Sequence, residues 1–336
     1  MILHPGILTL LLGGVISVVM LSGGALLGIR IARRWNPLGA EAEQLALERQ
    51  GWLVATLVFW AIVFESFSLL LFLFTVDVIH PLFVGAMCAT GSLNANPVGW
   101  HLLWIKLALF LLGSFWIVIH YIDRQLPEAP LTRFKFIVLV VLLPLVGADL
   151  VITWVYFSGL DPEIITSCCG ALFSSGGKGV ASGLAALPLR PMIIAFYAAS
   201  LLFGLMLLLC RRFPWRWWRA FLALSAGLFG VVSLASVVSF ISVYYYRLPT
   251  HHCPFDLLQG HYYFIGYPLY ICLFGALLCG LVPQLLVFLQ SWNIPPQHLA
   301  QQERRWLNAG LLFLFGLLVL VSWPLVFGHF TMQAYF

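Results

Sequence analysis

Eight long apolar runs fix the fold class of this chain before any motif is considered. They cover residues 7–29, 52–76, 102–122, 136–160, 192–210, 220–243, 265–289 and 306–327. Each has the roughly 20 residues that a helix needs to cross a hydrocarbon layer about 30 Å thick. The runs are continuous and rich in Leu rather than alternating, which sets a β-barrel aside. The expectation is an all-α integral membrane bundle of eight transmembrane helices, one domain over residues 1–336. Composition agrees: 62% of the residues are hydrophobic and 9% charged, against roughly 45–50% and about 25% in soluble domains. A soluble enzyme, a disordered chain and a nucleic-acid-binding module are excluded.

The charges that remain are sorted by side. Thirteen Lys and Arg fall in alternate loops and helix ends, from Arg30 to Arg305, while the opposite side holds only Lys178, Arg190 and Arg247. Basic loops mark the cytoplasm, so both termini are expected outside, with three capped outer loops. The first run has no positive n-region and is expected to stay as a span. No inner loop carries a phosphate-binding Gly-Lys motif, so no nucleotide site is expected. One inner segment, Asn36 to Gln50, reads as a short surface helix opening after Pro37. Arg33-Arg34 and Arg211-Arg212 close corresponding spans, and each is followed after one further span by an outer loop with His and Cys, which outlines a 4+4 helix repeat.

The three outer loops hold the chemistry. Four of the seven Cys lie there, Cys88, Cys168, Cys169 and Cys253, in what would be an oxidising compartment where pairing is usual. Two disulfides joining the Cys88 and Cys253 loops to Cys168-Cys169 are the natural arrangement, and a thiol relay is the competing one. Seven of nine His also collect at this face. Among them His80, His251, His252 and His261 are candidate ligands for copper, zinc or haem iron. A disulfide at Cys253 would exclude its use as a thiolate ligand, so the two readings compete. A haem held by two His on facing helices finds no partner for His101 or His120, which leaves haem only to the outer rim.

Three ionisable residues fall inside predicted spans, where they are costly unless paired or wetted. With a rise of about 1.5 Å per residue, Glu65 and Asp149 lie about 16 Å from the outer ends of the second and fourth spans. Lys106 lies about 6 Å into the third, within reach through its flexible stem. The reading is either an ion pair that fixes helix docking, or a catalytic proton site for a quinol reaction or a proton-coupled transporter. Pro144 and Pro283 are expected to kink their helices.

The strings GAMCATGSLNANP (Gly85 to Pro97), ITSCCG (Ile165 to Gly170) and HHCPFD (His251 to Asp256) resemble those of polytopic bacterial membrane proteins to which no activity is attached. The resemblance implies a bacterial inner membrane and a Cys-rich outer face, and carries over no catalytic residue. The leading functional expectation is a membrane subunit of a periplasm-facing redox complex. It would pass electrons between membrane quinol and an extracytoplasmic redox protein, alone or with other membrane subunits. Two alternatives stand beside it: a metal-handling protein, for copper above all, of permease or assembly type, and a non-catalytic anchor. Quinone, haem and copper are the cofactors these readings would use.

Overall fold

The computed structural model describes residues 2–35, 41–126, 129–161, 163, 165–166, 180–213, 215–292, 294–328 and 330. Among these it is all-helical, without strands, and eight helices are long and apolar enough to cross a membrane. They are α1 Pro5–Arg34, α2 Ala42–Val78, α3 Gly99–Arg124, α4 Thr132–Ser158, α5 Leu189–Arg212, α6 Arg216–Tyr246, α7 Gly266–Leu289 and α8 Pro296–Phe327. The protein is a multi-pass membrane protein. Every span overlaps its predicted run and most extend past it, because polar residues at a helix end keep their backbone bonded outside the apolar layer.

Local signals explain the helix ends. His4 Nδ1 accepts from the Gly6 N–H at 3.2 Å, Pro5 opens α1, and Arg33 and Arg34 close it where the helix dipole favours cations. The surface helix expected within Asn36 to Gln50 does not stand alone: from Ala42 it runs without a break into the second span. Glu, Gln, Leu and Ala are strong helix formers and carry the helix through Gly51. Pro144 and Pro283 lie inside α4 and α7, which continue past both. In α6, Val237–Ile241 forms a π-helical segment, a rearrangement frequent at functional sites.

The chain divides into two compact units, the first built from residues 1–78, 93–162 and 292–294, the second from 79–92, 163–291 and 295–336. In the first, α1 packs on α2 and α4, and α3 on α2 and α4, a closed ring of four helices. Small residues let α1 approach: a Cβ on Gly28 would stand 3.0 Å from the Phe136 carbonyl oxygen of α4. The α3–α4 turn is pinned by buried Asp123. Its carboxylate accepts from the Leu131 N–H at 2.8 Å and the Thr132 hydroxyl at 2.9 Å, and pairs with Lys135.

In the second unit α5 packs on α6 and α8, and α7 on α6 and α8. This neighbour order is the one any up-and-down four-helix bundle adopts. Arg219 of α6 makes two bonds to Glu303 of α8, Nε to Oε1 at 2.6 Å and Nη2 to Oε2 at 2.7 Å, both side chains largely buried. Such a forked pair costs desolvation but strands a charge when one partner is lost. Glu303→Gln is therefore expected to destabilise the protein by about 3–5 kcal/mol. Replacing both Arg219 and Glu303 with Met and Leu should recover most of the loss, read as thermal unfolding of the purified protein in detergent.

Candidate functional site

Two groups of reactive side chains stand out, one in each unit. In the first unit Glu65 of α2, Lys106 of α3 and Asp149 of α4 are at most 3% exposed. The Lys106 ammonium donates to Asp149 Oδ2 at 2.9 Å and to the Ser68 hydroxyl at 3.2 Å. It also lies over the Phe72 ring, 5.8 Å from the centroid, a favourable placement for a cation. Glu65 completes the group, with Ser17 of α1 on its other side. All four helices of the ring thus contribute at least one polar residue to its interior, and α2 contributes both Glu65 and Ser68.

The balance within this group is uneven. Two carboxyl groups share one ammonium, and the geometry gives that ammonium to Asp149. Neither Glu65 oxygen has a hydrogen-bond partner among the described residues, nor has Asp149 Oδ1. A second anion at this depth would be uncompensated, so the arrangement is complete only when one carboxyl holds a proton or a bound ligand donates to it. Chemically the group can take up, hold and release a proton inside the apolar layer.

His120, for which no core partner was expected, is buried near the other end of α3 between Trp116 and Phe59. Its ring stacks on Trp116 at 5.1 Å and 6° and on Phe59 at 5.6 Å, and neither nitrogen has a partner among the described residues.

The second group is formed by the loops of the second unit. Cys88, Cys253 and Asp256 are all buried, and their Sγ and carboxylate atoms lie within 4.8 Å of one another. The Sγ atoms of Cys88 and Cys253 are 3.5 Å apart, and the Thr90 hydroxyl is 3.5 Å from Cys253 Sγ. Local structure makes this possible. Cys253 and Asp256 are three residues apart, and the chain bends at Pro254 and Phe255 between them before a 3₁₀ turn opens at Asp256. The segment is held from both sides: the Tyr246 hydroxyl donates to the Cys253 carbonyl at 2.5 Å and the Tyr270 hydroxyl to the Pro254 carbonyl at 2.8 Å. Gly85, at φ +84°, carries the other loop past the Thr166 carbonyl, where a Cβ would stand 2.8 Å away.

Of the four histidines expected as ligands, His251 comes closest to the cluster through its Nε2 bond to Asp256 Oδ2. That bond raises the His251 imidazole above the ordinary histidine range, and burial pushes the Asp256 carboxyl up. His252 Nδ1 lies 3.0 Å from the Val238 carbonyl in the π-helical segment. His80 opens a 3₁₀ turn and His261 is exposed; neither is in the converging set. Cys168 and Cys169, and with them the expected disulfides to Cys88 and Cys253, lie outside the described residues. Sequence reasoning missed Asp256, although HHCPFD carried the signal in the Cys-x-x-Asp spacing.

Comparison with known proteins adds no assignment: no family model, curated protein or solved structure matches the chain.

The first group makes a direct prediction. Lys106→Met removes the shared ammonium and is expected to cost about 3–5 kcal/mol, seen as lost thermal stability or accumulation in membranes. Adding Asp149→Asn to it should restore much of that loss, because the stranded anion is then gone.

Proposed function

We propose that the protein is an integral membrane subunit of a redox complex at the outer face of a bacterial inner membrane, with Glu65 as the group that exchanges a proton. The observation that carries this reading is the buried Glu65 carboxyl, which has the Ser17 hydroxyl beside it but no counter-charge of its own, next to an ammonium committed to Asp149. Oxidation of a quinol releases two electrons and two protons. Glu65 rests protonated and releases that proton toward the outer face when quinol binds. As a carboxylate it then accepts one of the two quinol protons, a contribution worth roughly 10²–10⁴ in rate for a general base, while the other passes to water at the outer face. Lys106 and Asp149 are positioning residues: their pair keeps positive charge near Glu65 without neutralising it. The electrons pass to an extracytoplasmic redox protein.

Two measurements test this. In membranes containing the protein, with membranes lacking it as background, Glu65→Gln is expected to lower quinol turnover to an artificial acceptor by about 100-fold. Turnover unchanged by Glu65→Gln overturns the reading. A hydrophobic carbodiimide adds to a protonated carboxylic acid to give a stable N-acylurea, so peptide mass spectrometry should find the adduct on Glu65. Modification at other carboxyls alone, with Glu65 unreacted, also counts against it.

A further inference from the structure

We propose a second site, independent of the quinol reading: Cys88, Cys253 and Asp256 bind one thiophilic divalent metal ion of the zinc class. Three observations on the second unit converge on it. The first is the sulfur spacing. Two thiolates bound tetrahedrally to one ion at about 2.3 Å stand about 3.7 Å apart, and the Cys88 and Cys253 sulfurs are 3.5 Å apart. The two thiols meet at hydrogen-bond distance, longer than the roughly 2.05 Å of a disulfide, so a shared ion can replace the thiol proton between them with little movement of either sulfur.

The second observation is the oxygen. Asp256 is 7% exposed, and its Oδ1 has no hydrogen-bond partner among the described residues, whereas Oδ2 is engaged by His251. One carboxylate oxygen is thus held and oriented while the other is presented, within 4.8 Å of both sulfurs. A ligating carboxylate is itself held by outer hydrogen bonds that orient it, and His251 supplies one here. The third observation is support from the backbone side. The Tyr246 and Tyr270 hydroxyls hold the carbonyls of Cys253 and Pro254 at 2.5 and 2.8 Å, which fixes the Cys253 backbone before any ion arrives.

The donor set chooses the ion. Sulfur ligands select zinc, copper(I) and iron–sulfur chemistry, and a carboxylate oxygen tilts the set toward the harder, divalent member. Charge argues the same way: two thiolates and a carboxylate around a divalent ion leave one negative charge to bury, around a monovalent ion two. Loading is balanced by proton release, each thiol giving up its proton as the sulfur–metal bond forms. Three protein ligands leave a fourth position for water or an incoming group, the pattern of zinc sites that react rather than only brace. An ion here also ties the Ile79–Ser92 segment to the Arg247–Ile265 segment.

The test uses the full-length protein purified in detergent under reducing conditions and loaded with zinc or cobalt(II). One ion per chain is expected, with a thiolate-to-cobalt charge-transfer band and the intense visible bands of tetrahedral cobalt. Cys88→Ser and Cys253→Ser should each abolish the charge-transfer band or cut it sharply. His251→Ala should lower zinc affinity by about 10–100-fold, and Asp256→Asn by more. Cys279→Ser, on α7 outside the cluster, should leave binding unchanged. If the cysteine variants fail to fold, zinc X-ray absorption on the wild-type protein should still count two sulfur scatterers. Four results overturn the proposal: no stoichiometric zinc or cobalt; binding that survives the Cys88→Ser/Cys253→Ser double replacement; a site that takes copper(I) alone; or peptide mapping from native membranes that finds Cys88 or Cys253 in a disulfide.

Discussion

The contact on which the first unit depends is the bond from the Lys106 ammonium to Asp149, 2.9 Å long in a site almost closed to solvent. In water such a pair is worth little, and at this depth the cost of removing either ion from water exceeds what packing recovers. The consequence is geometric. α3 and α4 dock in the register that joins those two groups, and α2 adds Ser68 and Glu65 where the same ammonium can feel them. Because the ammonium is committed to Asp149, the docking contact between α3 and α4 does not use the Glu65 carboxyl.

The same cost explains where other buried charges sit. Asp123 and Lys135 meet at the α3–α4 turn, and Arg219 and Glu303 meet near one end of α6 and α8. Each unit thus has a paired buried charge near the helix ends, where water and backbone donors are within reach during folding. Glu65 and Asp149 lie deeper, each nine or more residues from either end of its helix. A pair at a helix end is explained by docking alone, whereas a carboxyl at mid-helix with no counter-charge of its own is not, which is why function is assigned to Glu65 and not to Asp123 or Glu303.

Much of this was legible in the sequence because hydrophobicity is read at the scale of whole spans. The eight runs recur as eight helices, and the rise of a helix was enough to put Lys106 within reach of Asp149. Features that depend on one or two residues were not legible. The Arg219 and Glu303 partnership joins residues 84 apart in the chain, and Arg219 had been counted only as part of a basic loop. The π-helical segment at Val237–Ile241 leaves no trace in an apolar run, since helix periodicity blurs when every face is apolar. The meeting of Cys88 and Cys253 joins residues 165 apart in the chain, and although Cys-x-x-Asp is visible in HHCPFD, nothing in the sequence places Cys88 beside it.

Thiolate ligation and disulfide bonding make opposite demands on the same atoms, and the surroundings of Cys88 and Cys253 answer them unequally. A disulfide is indifferent to a neighbouring carboxylate and gains nothing from a histidine that orients it. A metal ion can use both, since ligation would satisfy the Asp256 oxygen that is buried without a hydrogen bond and His251 would orient the carboxylate. The His251 bond to Asp256 and the tyrosine hydroxyls on the Cys253–Pro254 backbone are expensive to assemble around a bond that would form without them. They are what a site requires if its geometry must be ready before its ion is bound.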